Sequence, residues 1–201
     1  MANCNFAIRI EHGSKKGLKI SDGFSATGSR ITTSSNRCVL FNILLNKFYL
    51  NFDKINNCLD LCCGSGIVGC EFLSCGAKEC FFIDCDRKKI KFLEKTIFEK
   101  KLNGKVELSY LPSCSLFRQN NQNVKFDLIF FDPPYDNNFQ NDVIKNIFLY
   151  ELLSDNGILI VETKQQISEK SELYKILHQK KLKNGAFFYF IANVAYNIVN
   201  I

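Results

Sequence analysis

Four consecutive residues, Asp132-Pro133-Pro134-Tyr135, offer chemistry that their neighbours do not. A carboxylate accepts hydrogen bonds, a proline holds its carbonyl in a fixed direction and has no N–H, and an aromatic ring stacks on a flat heterocycle. Together they suit an amino group on a planar base, with two acceptors for its two N–H bonds and a ring against its face. Methylating a base nitrogen needs that arrangement. The tetrapeptide follows Phe126-Asp127-Leu128-Ile129-Phe130-Phe131, an apolar run that reads as a strand buried on both faces. Two prolines end any ladder there. Ligands of open α/β sheets sit outside the carboxyl ends of the strands, so a ligand is expected at this point. An ordinary turn would explain one proline, but two of the chain's three stand here.

A second cluster lies upstream. Leu59-Asp60-Leu61-Cys62-Cys63-Gly64-Ser65-Gly66, with Gly69 one turn further, has the form of a strand running into a glycine turn and a helix. Such a turn brings backbone close to a nucleotide. It lacks the lysine of a phosphate-binding P-loop, yet Gly64, Gly66 and Gly69 fit G-x-G-x-x-G, so nicotinamide binding must be weighed. Ile83-Asp84-Cys85-Asp86 then places a carboxylate eighteen residues after Gly66. An acid there accepts hydrogen bonds from the ribose hydroxyls of an adenosine. Asp84 is the expected ribose ligand and Asp86 the second choice, since Asp86 is equally well explained as the lead into a helix. Dinucleotide and S-adenosylmethionine sites share these features. Hydride transfer has no use for the Asp-Pro-Pro-Tyr segment, which favours the latter.

The elements that must position these residues alternate. Residues 6–31 read as a small β-appendage, and Ser34-Ser35-Asn36 as a helix start followed by Val39, Leu40, Ile43, Leu44 and Phe48 at helical spacing. Strands are expected at 57–62, 80–83, 105–110, 126–131 and 158–161. Helices are expected at 67–75, along a face made by Ile90, Leu93, Ile97 and Phe98, around 143–153, and near 169–177. Asn184-Gly185 signals a closing hairpin. The pattern predicts an α/β, Rossmann-like, doubly wound and mostly parallel seven-stranded sheet, with an antiparallel C-terminal hairpin and the small N-terminal appendage. Residues 1–31 form the appendage and 32–201 the main domain. Residues 119–123 read as a polar loop.

With 201 residues the chain suits one domain. No stretch approaches the roughly 18 apolar residues of a membrane span, and the N-terminus lacks the form of a signal peptide. Ten cysteines are present without a Cys-x-x-Cys pair, and His12 and His178 stand apart from them, so no metal site is expected. Cys58, Cys62, Cys63, Cys80 and Cys85 sit in or beside apolar strands, consistent with reduced thiols in a cytoplasmic protein. The net charge is +6, and residues 1–50 hold seven basic residues against two acidic ones. A basic segment on a nearly neutral body is the footprint expected for a polyanion.

Taken together, these residues resemble the class I S-adenosylmethionine-dependent methyltransferases, and among them the bacterial family that methylates guanine N2 in 16S ribosomal RNA. The similarity runs from Arg9-Ile10 through Gly13 and Gly17-Leu18-Lys19-Ile20, over Arg30-Ile31-Thr32-Thr33, Arg37 and Leu40-Phe41-Asn42. It continues through Leu59-Asp60, Gly64-Ser65-Gly66, Gly69 and Glu71 to Asp132-Pro133-Pro134-Tyr135 and Asn184-Gly185 with Tyr189. It implies catalysis by Asp132, Pro133, Pro134 and Tyr135. It implies S-adenosyl-L-methionine held by Asp60, Cys62, Gly64, Ser65, Gly66, Asp84, Cys85 and Ser113. RNA contacts would fall to Arg9, Lys15, Lys16, Lys19, Arg30, Thr33 and Arg37. The expected partner is 16S rRNA or an assembling small ribosomal subunit, met by a monomer.

Two departures stand out. The family's charged residues after the paired threonines are here Ser34-Ser35-Asn36, and its glutamate after the second arginine is Cys38. The adenine-contacting residue falls around Pro112-Ser113. The alternatives are DNA adenine-N6 methylation, for which no segment is long enough to be a target-recognition insertion, and a non-catalytic, cofactor-binding ribosome assembly factor.

Overall fold

The computed structural model describes residues 8–21, 32–109, 124–135, 139–169 and 171–196. Strands β1 (Ile8–Arg9) and β2 (Lys19–Ser21) pair antiparallel as a separate two-stranded sheet. Helix α1 (Ser34–Asn46) follows, capped by Thr33, whose hydroxyl accepts from the Asn36 amide at 3.2 Å. Then come β3 (Asn57–Leu61), α2 (Ile67–Cys75), β4 (Glu79–Asp84), α3 (Arg87–Glu99), β5 (Gly104–Leu108), β6 (Phe126–Phe131) and α4 (Gln140–Leu149). The chain closes with β7 (Leu153–Thr163), β8 (Tyr174–Lys181) and β9 (Phe187–Asn193).

The seven strands from β3 onward lie in the order β5-β4-β3-β6-β7-β9-β8. β5, β4, β3, β6 and β7 are parallel, and β9 runs antiparallel to both β7 and β8. The chain winds outward from β3 through β4 to β5, then crosses to β6 on β3's other side. β3 and β6 therefore flank the switch point, where the ends of neighbouring strands lead away in opposite directions and leave a crevice.

The sheet separates two apolar layers. Side chains of α1, α2 and α3, such as Phe41, Phe72 and Leu93, join Cys58, Leu128, Phe130 and Ile160 on one face. Those of α4 join Leu59, Ile129, Phe131 and Val161 on the other. A fully buried side chain of this size contributes roughly 1.5–3 kcal/mol. Cys58, Cys63, Cys70 and Cys80 are buried among them, and desolvation is the first cause that pushes each thiol up, so they stay protonated.

Three sequence expectations are corrected here. Among the described residues of 169–177 no helix forms: Tyr174–Lys181 is an edge strand paired with β9. Phe98 leaves the buried face of α3 and is 85% exposed, because it lies about 100° round the helix from Ile97, and Thr96 is buried instead. The helix expected to run to residue 153 ends at Leu149, after which Glu151 takes a left-handed φ of 51° and β7 begins. The expected polar loop at 119–123 and Tyr110 lie outside the described residues.

Candidate active site

Three turns of chain converge at the switch point, and the first is the loop from β3 to α2. Asp60, only 2% exposed, accepts the Gly69 amide at 3.0 Å and so ties the strand to the first turn of α2. Desolvation raises its pKa well above the usual carboxylate range, the Gly69 bond opposes that, and Asp84 adds to it. Gly64 has φ +54°, and a Cβ built there meets nothing nearer than the Cys62 carbonyl at 4.0 Å. Backbone at that point faces open space. Gly69 is a glycine for another reason: its Cβ would stand 2.4 Å from a Phe82 ring carbon and 2.8 Å from Cys80 Sγ, so α2 lies directly on β4.

The second turn is the tip of β4. Asp84, 6% exposed, accepts the Gly64 amide on Oδ2 at 2.8 Å and the Asp86 amide on Oδ1 at 2.9 Å. A carboxylate oxygen has two acceptor sites, so each retains one for a ribose hydroxyl. Asp86 instead caps α3, accepting from Lys88 N at 2.8 Å and Lys89 N at 3.3 Å. The two acids are thus distinguished: one faces the glycine loop, the other ends a helix. Cys62 is half-buried, Ser65 buried and Cys85 exposed beside them. The Cys62 thiol is pushed up by desolvation first and by Asp84 second. Ser113 lies outside the described residues. The open space above Gly64, beside carboxylate acceptors, fits a nucleoside-bearing cofactor such as S-adenosylmethionine.

The third turn follows β6. The Asp132 amide donates to the Leu61 carbonyl at 3.3 Å, which sets this turn directly against the end of β3. Asp132 is half-buried, Pro133 buried and Pro134 exposed. The Thr32 hydroxyl donates to Asp132 Oδ2 at 3.3 Å. Tyr135 is held from three directions. Gln165 Nε2 donates to its carbonyl at 3.1 Å, Asn184 Nδ2 reaches its hydroxyl at 3.5 Å, and Lys164 Nζ stands 4.7 Å from its ring centroid. The sequence alone does not mark Thr32, Lys164, Gln165 or Asn184 for these contacts. Only the Asn-Gly turn carries a signal, and it speaks of a hairpin.

The residues expected to meet RNA divide. Arg9 is exposed with Nη1 on the Gly17 carbonyl at 2.9 Å, Lys16 is exposed, and Lys15 and Lys19 are half-buried on the same hairpin. Thr33 is exposed as the cap of α1. Arg30 lies outside the described residues. Arg37 is a correction: it is 3% exposed, with Nε 2.6 Å from Glu71 Oε1 and its other nitrogens on backbone carbonyls, so it has no surface to offer a phosphate. Among the described residues no group of three or more His, Cys, Asp or Glu is placed to hold a metal ion, and no helix is long and apolar enough to cross a membrane.

Known proteins share both sequence and architecture with this chain. Ribosomal RNA small subunit methyltransferase D of Haemophilus influenzae is 29% identical over 168 residues, covering 81% of this chain and 82% of its own. The protein of that name from Buchnera aphidicola is 28% identical over 180 residues, covering 90% of each. The Escherichia coli protein yhhF superposes with a TM-score of 0.76 at 25% identity, over 93% of this chain and 98% of that one. A family model described as "Conserved hypothetical protein 95" matches residues 8–191 and so takes in the glycine loop, Asp84, the Asp-Pro-Pro-Tyr turn and most of the closing hairpin. On that match the chain belongs to this family.

Proposed function

We propose that this protein transfers a methyl group from S-adenosyl-L-methionine to the exocyclic N2 amine of a guanine in small-subunit (16S) ribosomal RNA. The observation that carries the reading is the meeting of the Asp132 turn with the end of β3, from which the glycine loop departs, through the Asp132 amide on the Leu61 carbonyl at 3.3 Å. The relatives named as small-subunit ribosomal RNA methyltransferases support the choice of RNA.

When bound, the cofactor supplies an activated sulfonium methyl group. The protein's task is then to present the amine. An exocyclic amine is a weak nucleophile because its lone pair is delocalised into the ring. The Asp132 carboxylate and the Pro133 carbonyl accept its two N–H bonds, favour a pyramidal nitrogen and direct the lone pair. Orientation of this kind supplies most of the rate. As positive charge develops on nitrogen, Asp132 takes one proton. Tyr135 stacks on the base, worth about 1–3 kcal/mol in single-stranded recognition. The guanine is unpaired or extruded when it enters.

Gly64 backbone approaches the cofactor, Asp84 accepts from its ribose, and Asp60 keeps the loop folded between them. Cys62, Ser65 and Gly66 in that loop and Cys85 next to Asp84 complete the cofactor contacts, with Ser113 assigned to the adenine. Lys15, Lys16, Lys19, Arg9, Arg30 and the cap residue Thr33 set register on phosphates without reading sequence. The appendage, residues 1–31, is the RNA-contacting part, and 32–201 the catalytic domain. The protein acts as a cytoplasmic monomer on 16S rRNA or an assembling small subunit.

The test is the Asp132→Ala variant. It binds S-adenosylmethionine with near-normal affinity and transfers no methyl group. Normal turnover by that variant would remove Asp132 from catalysis and the reading with it.

A further inference from the structure

A buried chain of hydrogen bonds runs from the N-terminal hairpin to Asp132. Glu71 on α2 is fully buried, and its Oε1 accepts from Arg37 Nε at 2.6 Å and from the Glu11 amide at 3.2 Å. Its Oε2 lies 2.7 Å from His12 Nδ1, and the His12 ring stacks on Phe41 with centroids 4.5 Å apart. Arg37 Nη1 donates to the Thr32 carbonyl at 2.6 Å and Nη2 to the Arg9 carbonyl at 2.9 Å. Thr32, 6% exposed, donates its hydroxyl to Asp132 Oδ2.

A buried ion pair adds little stability by itself, because removing both charges from water offsets their attraction. Its use here is geometric. The guanidinium is a planar fork that serves Glu71, Thr32 and Arg9 at once, which an ammonium on a flexible stem does not reproduce. The same fork therefore fixes two things. It sets the backbone of Thr32, whose hydroxyl meets the reacting carboxylate, and the backbone of the hairpin that carries Arg9, Lys15, Lys16 and Lys19.

We propose that Thr32 and Arg37 are positioning residues for methyl transfer. Arg37 places Thr32, and the Thr32 hydroxyl holds the Asp132 carboxylate in the orientation that receives the target amine. This rests on the methyl-transfer reading of Asp132. It also separates Arg37 from the phosphate contacts: a phosphate ligand governs RNA affinity and its salt dependence, whereas a positioning residue governs kcat.

The experiment compares Thr32→Val, Thr32→Ser and Arg37→Lys with the unaltered protein, reading kcat and KM on small-subunit RNA, cofactor affinity, the salt slope of RNA binding and thermal stability. Valine keeps the branched shape and removes only the hydroxyl. Thr32→Val lowers kcat about tenfold, the loss expected for one hydrogen bond to a charged group, with KM and cofactor affinity within about twofold. Thr32→Ser regains most of the rate. Arg37→Lys lowers kcat and leaves the salt slope unchanged. Should Thr32→Val turn over normally where the unaltered protein methylates RNA, the positioning role is wrong and the methyl-transfer reading survives. A shallower salt slope in Arg37→Lys overturns the separation from phosphate contacts. If the unaltered protein transfers no methyl group to RNA, both fall together.

Discussion

The Gly64 amide donates to Asp84 Oδ2 at 2.8 Å, so the tip of β4 and the loop after β3 form one unit. Asp84 is at once a loop anchor and the acid we propose for ribose. The Asp86 carboxylate, two residues on, caps α3. Substitutions at the two positions separate these roles. Asp84→Ala strands two half-buried amides, costs about 1–3 kcal/mol of stability and weakens S-adenosylmethionine binding at least about tenfold. Asp86→Ala loses a helix cap, costs about 1 kcal/mol and leaves cofactor affinity unchanged. Calorimetric titration and thermal melts on both variants check this.

Asp60 supplies a pH signature. Desolvation raises its folded pKa well above that of an unfolded carboxylate. The folded state then holds a proton that the unfolded chain releases, so stability falls as pH rises. The contribution of neutral Asp60 is complete below the ordinary carboxylate range and is lost as pH climbs through the elevated folded value. Asn at this position still accepts from the Gly69 amide and has no charge to desolvate. Asp60→Asn therefore melts higher than the unaltered protein at neutral pH, and the difference shrinks as the solution is acidified. A difference that does not change with pH would contradict the assignment.

Gly69→Ala tests the contact between α2 and β4. A methyl group 2.4 Å from the Phe82 ring and 2.8 Å from Cys80 Sγ forces strand or helix to shift. The expected cost is about 1–3 kcal/mol, read as a lower denaturant midpoint with an unchanged slope.

Lys15→Ala with Lys16→Ala tests the hairpin as the RNA surface. Removing one lysine–phosphate interaction reduces the slope of log affinity against log salt by roughly 0.7–0.9. RNA affinity falls at moderate salt, cofactor affinity does not, and the double variant shows a shallower slope. An unaltered slope would move the RNA to another face.

Local signals made much of the site legible. A glycine turn between an apolar strand and a helix, an acid at the next strand tip, and two prolines after a buried strand are each written within a few residues. They put the β3–α2 loop, Asp84 and the Asp-Pro-Pro-Tyr turn at the strand ends where the structure has them. What failed depends on distant partners. Leu173, Tyr174, Ile176 and Leu177 have the spacing of a helix face, but the segment is a strand whose pairing with β9 shifts between Ile176 and His178. That irregularity breaks the alternation by which a strand is recognised. Arg37 looks like one more basic residue near the N-terminus. Its role is set by Glu71, 34 positions away, and nothing local marks that pair.

The most direct test of the central claim is the identity of the methylated product. The protein is incubated with labelled S-adenosylmethionine and unmodified small ribosomal subunits, with DNA in parallel, and the nucleosides are separated after digestion. The expected result is label in N2-methylguanosine from the RNA and none in the DNA. Label in N6-methyladenine of DNA, or cofactor binding with no transfer at all, would contradict it.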